Sequence, residues 1–178
     1  AGVFTTDYFG ETACLAQSPQ LYKQLAVAGD LGGVYEVGPV FRAENSNTRR
    51  HLCEFTGLDF EVPIVSHYSE AISIGHGVFK AIFEGLENEC SDLLTSVRAQ
   101  FPSEPAVISD EPVVLHFDDA LQLLRDAGVA PEDQDDLSGA DELRLGEIVK
   151  EKHGVDFFVV DRYPSSIRPF YTMLDPSD

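Results

Sequence analysis

Residues 35–61 read YEVGPVFRAENSNTRRHLCEFTGLDFE, and their types suit the floor of a polar ligand site. In strand parity Arg42 and Glu44 share a face, and Phe55, Asp59 and Glu61 share one on the returning segment. A sheet face carrying an arginine, several carboxylates and one aromatic ring is costly as a core but useful beneath a ligand. Arg42 demands an anion, either a carboxylate of its own chain (Glu44 or Asp59) or a bound phosphate; both remain open at this level. Arg49, Arg50 and His51 follow in a basic stretch that is either simply solvated or suited to a polyphosphate tail. Phe55 is either core or a stacking surface for a nucleobase. Upstream, Gln20 and Lys23 stand three apart on one helical face. Lysine offers a compact charge for a carboxylate held in a small pocket, and the neighbouring amide can orient it. Alone, such a lysine is an ordinary solvated charge.

The elements that must position these groups can be read from pattern. Two short strands, 3–8 and 12–16, turn at Phe9-Gly10. Ser18 as N-cap, Pro19 at the first helical position and Gly29 as a stop bracket a helix. Segments 34–44 and 54–65 read as two long strands, and Pro39 requires the first to lie at an edge, bulge or break. The stripe Ile72, Val78, Phe79, Ile82, Phe83, Leu86, Leu93, Leu94 predicts one long amphipathic helix over 69–101, interrupted near Gly75 and Gly77, with its apolar face in the core. Residues 102–112 form a connector. A strand at 113–117, a helix at 118–127, an acidic turn at 131–139 and a helix at 140–153 follow. Strands are predicted at 155–160 and 167–173. Long antiparallel strands with helices set apart from them indicate an α+β fold, not a doubly wound sheet. The expected organisation is one partial domain, divided into 1–65, 66–101, 102–154 and 155–176.

Composition narrows the function classes. The net charge of -19 argues against a broad nucleic-acid footprint, and most of the excess acid lies in 104–151. A focused anion site in the basic stretch is compatible with that. Three widely spaced cysteines (Cys14, Cys53, Cys90) offer neither a disulfide framework nor a zinc site. No apolar run is long enough to span a membrane, and no signal-peptide layout opens the chain. A reducing, cytoplasmic setting is expected. Neither GxGxxG nor GxxxxGK[ST] occurs, so the common nucleotide loops are absent.

FRAE at 41–44 followed by RRHLCEFTGLDFE at 49–61 resembles motif 2 of the class II aminoacyl-tRNA synthetases, most of all the aspartyl enzymes of eukaryotic and archaeal type. LAQSPQLYKQ at 15–24 is similar to their amino-acid-binding helix, and DFFVVDRYPSSIRPFYTM at 156–173 to later catalytic-domain strands. The resemblance implies an antiparallel class II sheet flanked by helices, with ATP and Mg2+ in use. It implies that Arg42 grips the ATP α-phosphate and the substrate carboxylate, the catalytic role. Ala43, Glu44, Arg50, His51, Leu52 and Phe55 would complete the ATP site. Gln20, Lys23, Arg42 and Asp59 would bind L-aspartate, Lys23 by its side-chain carboxylate. The tRNA acceptor end and a homodimeric parent are the implied partners.

The resemblance also implies an incomplete catalytic domain, with motif 2 present, motifs 1 and 3 absent, no metal ligands within the chain, and no pyrophosphate exchange by these 178 residues alone. Two other readings compete with an aspartate–tRNA ligase. One is an asparaginyl-tRNA synthetase or asparagine-forming relative on the same fold, which usually lacks a lysine at position 23. The other is a non-catalytic, synthetase-derived binding module.

Overall fold

The computed structural model describes residues 2–45, 51–131, 135–169 and 171–174. The chain divides into two compact units, 1–67 and 68–178. In the first, β1 (Thr5–Tyr8) and β2 (Glu11–Cys14) form an antiparallel hairpin. Phe9 and Gly10 both take positive φ (53° and 82°), the backbone that a two-residue hairpin turn requires. The Asp7 side chain accepts the Gly10 N–H at 3.0 Å. Helix α1 (Gln20–Ala28) starts just after Pro19, with the Gln20 N–H donating to Ser18 Oγ at 3.2 Å.

Strands β3 (Val34–Phe41) and β4 (Glu54–Glu61) pair antiparallel over their full length, a shorter span than the 34–44 and 54–65 expected, and carry the polar face read from the sequence. Pro39 is tolerated because, among the described residues, β3 shares a ladder with β4 alone, which leaves no ladder on its other edge. Beyond β3 the pairing continues loosely: the Arg42 N–H donates to the Cys53 carbonyl at 3.0 Å, and Ala43 bridges to Gly2.

The second unit opens with α2 (Ser69–Glu89), which runs through Gly75 and Gly77 without the expected interruption. The break falls instead at Cys90, before α3 (Ser91–Gln100). Across it, Arg98 forks onto both Glu87 carboxylate oxygens at 3.0 and 2.5 Å. The apolar stripe of α2 does not form the core either. Phe79, Ile82, Phe83 and Leu86 each keep more than a third of their surface exposed, and His76 is the buried residue of this helix. Periodicity shows that a face is apolar, not what covers it.

The core lies later in the chain. Strand β5 (Val114–His116) leads into α4 (Phe117–Asp126), then α5 (Gly139–His153) and β6 (Val159–Asp161), which returns parallel to β5. Phe117, Ala120, Leu121 and Leu124 on α4 meet Leu145, Ile148 and Val149 on α5, with Leu137 and Val155 closing the cluster. Both sets follow helical spacing. Within the acidic stretch, Asp141 is buried. It accepts the Ser138 N–H at 3.2 Å while Ser138 Oγ accepts the Asp141 N–H at 3.2 Å, a capping box that starts α5. Gly154, at φ 70°, ends that helix in the left-handed region. The strand expected at 167–173 is not found among the described residues. A short 3-10 turn, Ser165–Ile167, lies there between Pro164 and Pro169, whose missing N–H groups cannot extend a ladder. No helix among the described residues is long and apolar enough to cross a membrane.

Two stability predictions follow from this packing. Leu124→Ala empties a fully buried site and should cost about 2–5 kcal/mol in chemical denaturation. Asp156 is held below the usual aspartate range by hydrogen bonding to Lys150, then by the Val107 N–H. Its contribution is present above the unfolded-state value and is lost as pH falls through the lower folded value. Asp156→Asn should therefore flatten the loss of stability measured between about pH 4 and the acid limit.

Candidate active site

The register of β3 with β4 sets Glu36 opposite Asp59, Gly38 opposite Gly57 and Val40 opposite Phe55. Directly opposed residues share a face, so these six line one surface of the hairpin. Helix α1 delivers Lys23 onto the same surface. Its ammonium pairs with Asp59 and lies 3.5 Å from Glu61 Oε2, and its side chain is only 13% exposed. Lys23 is thus not a solvated helix charge. A cation so far withdrawn from water is held there by its two carboxylates. With Glu36 beside them, this end carries three carboxylates for one ammonium, an excess of negative charge that suits an incoming amine.

The other end has the opposite character. Arg42 is exposed, and its guanidinium carbon lies 5.5 Å from the centroid of the Phe55 ring. Among the described residues it pairs with neither Glu44 nor Asp59, the two internal partners that the sequence left open. A planar cation beside a half-buried ring is placed to meet an anion and a flat heterocycle together. Roughly four residues of strand, about 13 Å, separate Phe55 from Asp59. One face therefore holds a cationic, aromatic end and an anionic end.

The remaining predicted residues are distributed around this face. Gln20 is half-buried on the face of α1 that carries Lys23, three positions earlier. Ala43 is fixed by its bridge to Gly2, and the Glu44 N–H donates to the Arg42 carbonyl at 2.8 Å. His51 and Leu52 are exposed before β4. Arg50, with Arg49, lies outside the described residues. Sequence reading named Glu61 on the shared face but missed its contact with Lys23, and it missed Glu36 and the opposed glycines. The only signal for those was β3–β4 register. The face is open rather than enclosed: a recess of about 10 Å³ sits over the glycines, and one of about 200 Å³ lies by Ala16, Tyr22 and Pro39.

A family model for class II tRNA synthetases (D, K and N) matches residues 2–178, and the chain belongs to that family. Its similarity within the family runs toward the aspartate enzymes. The cytoplasmic aspartate–tRNA ligase of Caenorhabditis elegans is 49% identical over all of this chain, which covers 34% of that protein. The aspartyl-tRNA synthetase structure from Entamoeba histolytica superposes with a TM-score of 0.85 at 48% identity, covering 92% of this chain and 34% of that one. The asparaginyl-tRNA synthetase of Pyrococcus horikoshii, complexed with asparaginyl-adenylate, is more distant: 30% identity and a TM-score of 0.79, over 99% of this chain and 39% of that one. The chain spans about a third of the length of these two aspartate-enzyme relatives.

Removing Lys23 tests the ionic cluster itself. Lys23→Met leaves Asp59 and Glu61 facing each other without their cation. Thermal melting at low ionic strength should show a loss of stability that shrinks with added salt, as screening weakens the repulsion. An equal loss at low and high salt would show that Lys23 acts there only through packing.

Proposed function

We infer that the protein carrying this chain is an aspartate–tRNA ligase, which activates L-aspartate with ATP and passes the aspartyl group to the 3′ end of tRNA. The observation that carries this reading is the pairing of opposites on one sheet face: Lys23 between Asp59 and Glu61 at one end, and at the other Arg42 beside Phe55, with no carboxylate partner among the described residues. An amino acid with a negatively charged side chain and a positive amine fits the first end. A nucleotide phosphate with its base fits the second.

In this reading Lys23 receives the side-chain carboxylate of aspartate and Gln20 orients the substrate. Asp59, released from Lys23 in part, attracts the ammonium. Arg42 bridges the substrate α-carboxylate and the ATP α-phosphate. Phe55 stacks on adenine, Glu44 meets its polar edge with Ala43 and Leu52 alongside, and Arg50 and His51 hold the outer phosphates. No general base is required, because the α-carboxylate is ionised at neutral pH. It attacks the α-phosphorus, forming a carboxyl–phosphoryl bond as the bond to pyrophosphate breaks. The tRNA hydroxyl then takes the aspartyl group, and AMP leaves. The work of the chain is positioning and charge stabilisation.

Mg2+ is expected with ATP. Among the described residues no group of three or more histidine, cysteine or acidic side chains could hold it. A cytoplasmic location, a homodimeric assembly and tRNA as partner belong to the same proposal, supported by the names of the relatives and by the family.

Asparaginyl chemistry is the reading that Lys23 opposes, since an amide would leave this desolvated ammonium without its substrate partner. Discrimination of about 10⁴-fold or more is within reach of such a site. In the intact protein that carries this chain, ATP–pyrophosphate exchange should depend on aspartate and not on asparagine. Arg42→Ala should lower kcat about 10²–10³-fold. Lys23→Leu should abolish aspartate-dependent exchange. Exchange that proceeds equally with either amino acid, or that survives Lys23→Leu, would overturn the aspartate assignment.

A further inference from the structure

We propose that Gly38 and Gly57 are specificity-determining residues of this site: their opposed, side-chain-free backbones form the floor on which the bond joining aspartate to the nucleotide lies. The inference rests on the functional reading above and assigns it a part that Lys23, Arg42 and Phe55 do not play.

The argument starts from cost. Glycine is a poor strand residue, and two directly opposed in the middle of a ladder leave it without a cross-strand side-chain pair. Something must offset that. Backbone conformation does not, because neither residue has positive φ. Packing of the protein on itself explains only one of them. A Cβ on Gly57 would approach Val40 Cγ2 to 3.0 Å, whereas a Cβ on Gly38 would meet first the mobile carboxylate end of Glu36, at 3.3 Å. No other side chain comes nearer to either position, α1 and Pro19 included. Space above Gly38 is therefore kept open without a rigid protein group to fill it.

Location gives that space a meaning. On the shared face the glycine pair stands between the Glu36–Asp59 pair and the Val40–Phe55 pair. It separates the end that suits an amino acid from the end that suits a nucleotide. The small recess over it is lined by Pro19, Glu36, Gly38, Val40, Gly57 and Asp59. A ligand that touches both ends must cross this strip, and close approach of a ligand to backbone is a recognised use of strand glycine. Free ATP can occupy the nucleotide end alone. The aspartyl-adenylate must span both, so an added methyl should obstruct the joined species more than ATP.

The test compares two ligands on the same variants of the intact protein. Gly38→Ala and Gly57→Ala are titrated calorimetrically with ATP and with a non-hydrolysable sulfamoyl analogue of aspartyl-adenylate, with thermal melting recorded for each. Gly38→Ala should melt no lower than the parent and keep its ATP affinity, while losing about tenfold or more for the analogue, the scale of one misplaced methyl group in a fitted pocket. Gly57→Ala should show the same split even if the Val40 contact lowers its melting temperature. Unchanged analogue affinity in both variants would overturn the proposal. So would a parallel loss of ATP and analogue binding together with stability, which would make the glycines structural. If the unsubstituted protein fails to bind the analogue, the ligase reading itself falls and this inference falls with it.

Discussion

The hydrogen-bond register of one antiparallel hairpin is the constraint on which the site depends. Because β3 and β4 pair Glu36 with Asp59 and Val40 with Phe55, charges distant in sequence share one surface. A slip of one residue would turn Phe55, Asp59 and Glu61 to the opposite side and leave Lys23 facing nothing that could hold its charge. Lys23 in turn supports the register. An ammonium brought largely out of water needs those two carboxylates, so α1 and β4 are tied by a contact that only one alignment allows.

The binding groups and most of the buried core belong to different units. The fully buried apolar side chains belong to α4, α5 and their connections, whereas the first unit has none in that state among its described residues. Its hairpins are held by ladders, by the Gly2–Ala43 bridge and by the ionic cluster. A binding face built on polar contacts can keep its carboxylates and guanidinium available to a ligand. A face built on apolar packing would have had to bury them.

Much of this was legible in the sequence because the relevant signals are local. Parity placed Phe55, Asp59 and Glu61 together, helical spacing put Gln20 with Lys23, and the Ser18-Pro19 pair marked the start of α1. What escaped were features set by pairing at a distance. Glu36 and the glycine pair acquire meaning only once β3 is aligned against β4. Asp141 falls at the predicted start of a helix, yet its burial and its reciprocal cap with Ser138 were not read from the sequence. The stripe on α2 was correctly apolar but wrongly assigned to the core, since periodicity carries no information about the opposing surface. Two prolines outweighed the strand pattern after Arg162 for a simpler reason: they remove the donors a ladder needs.

A crystal structure of the intact protein with an aspartyl-adenylate analogue bound is the most direct measurement. The account places the ligand along the β3–β4 face, with its aspartyl carboxylate on Lys23, its phosphate mimic on Arg42 and its adenine against Phe55. A ligand bound elsewhere, with Lys23 still closed on Asp59 and Arg42 untouched, would contradict it.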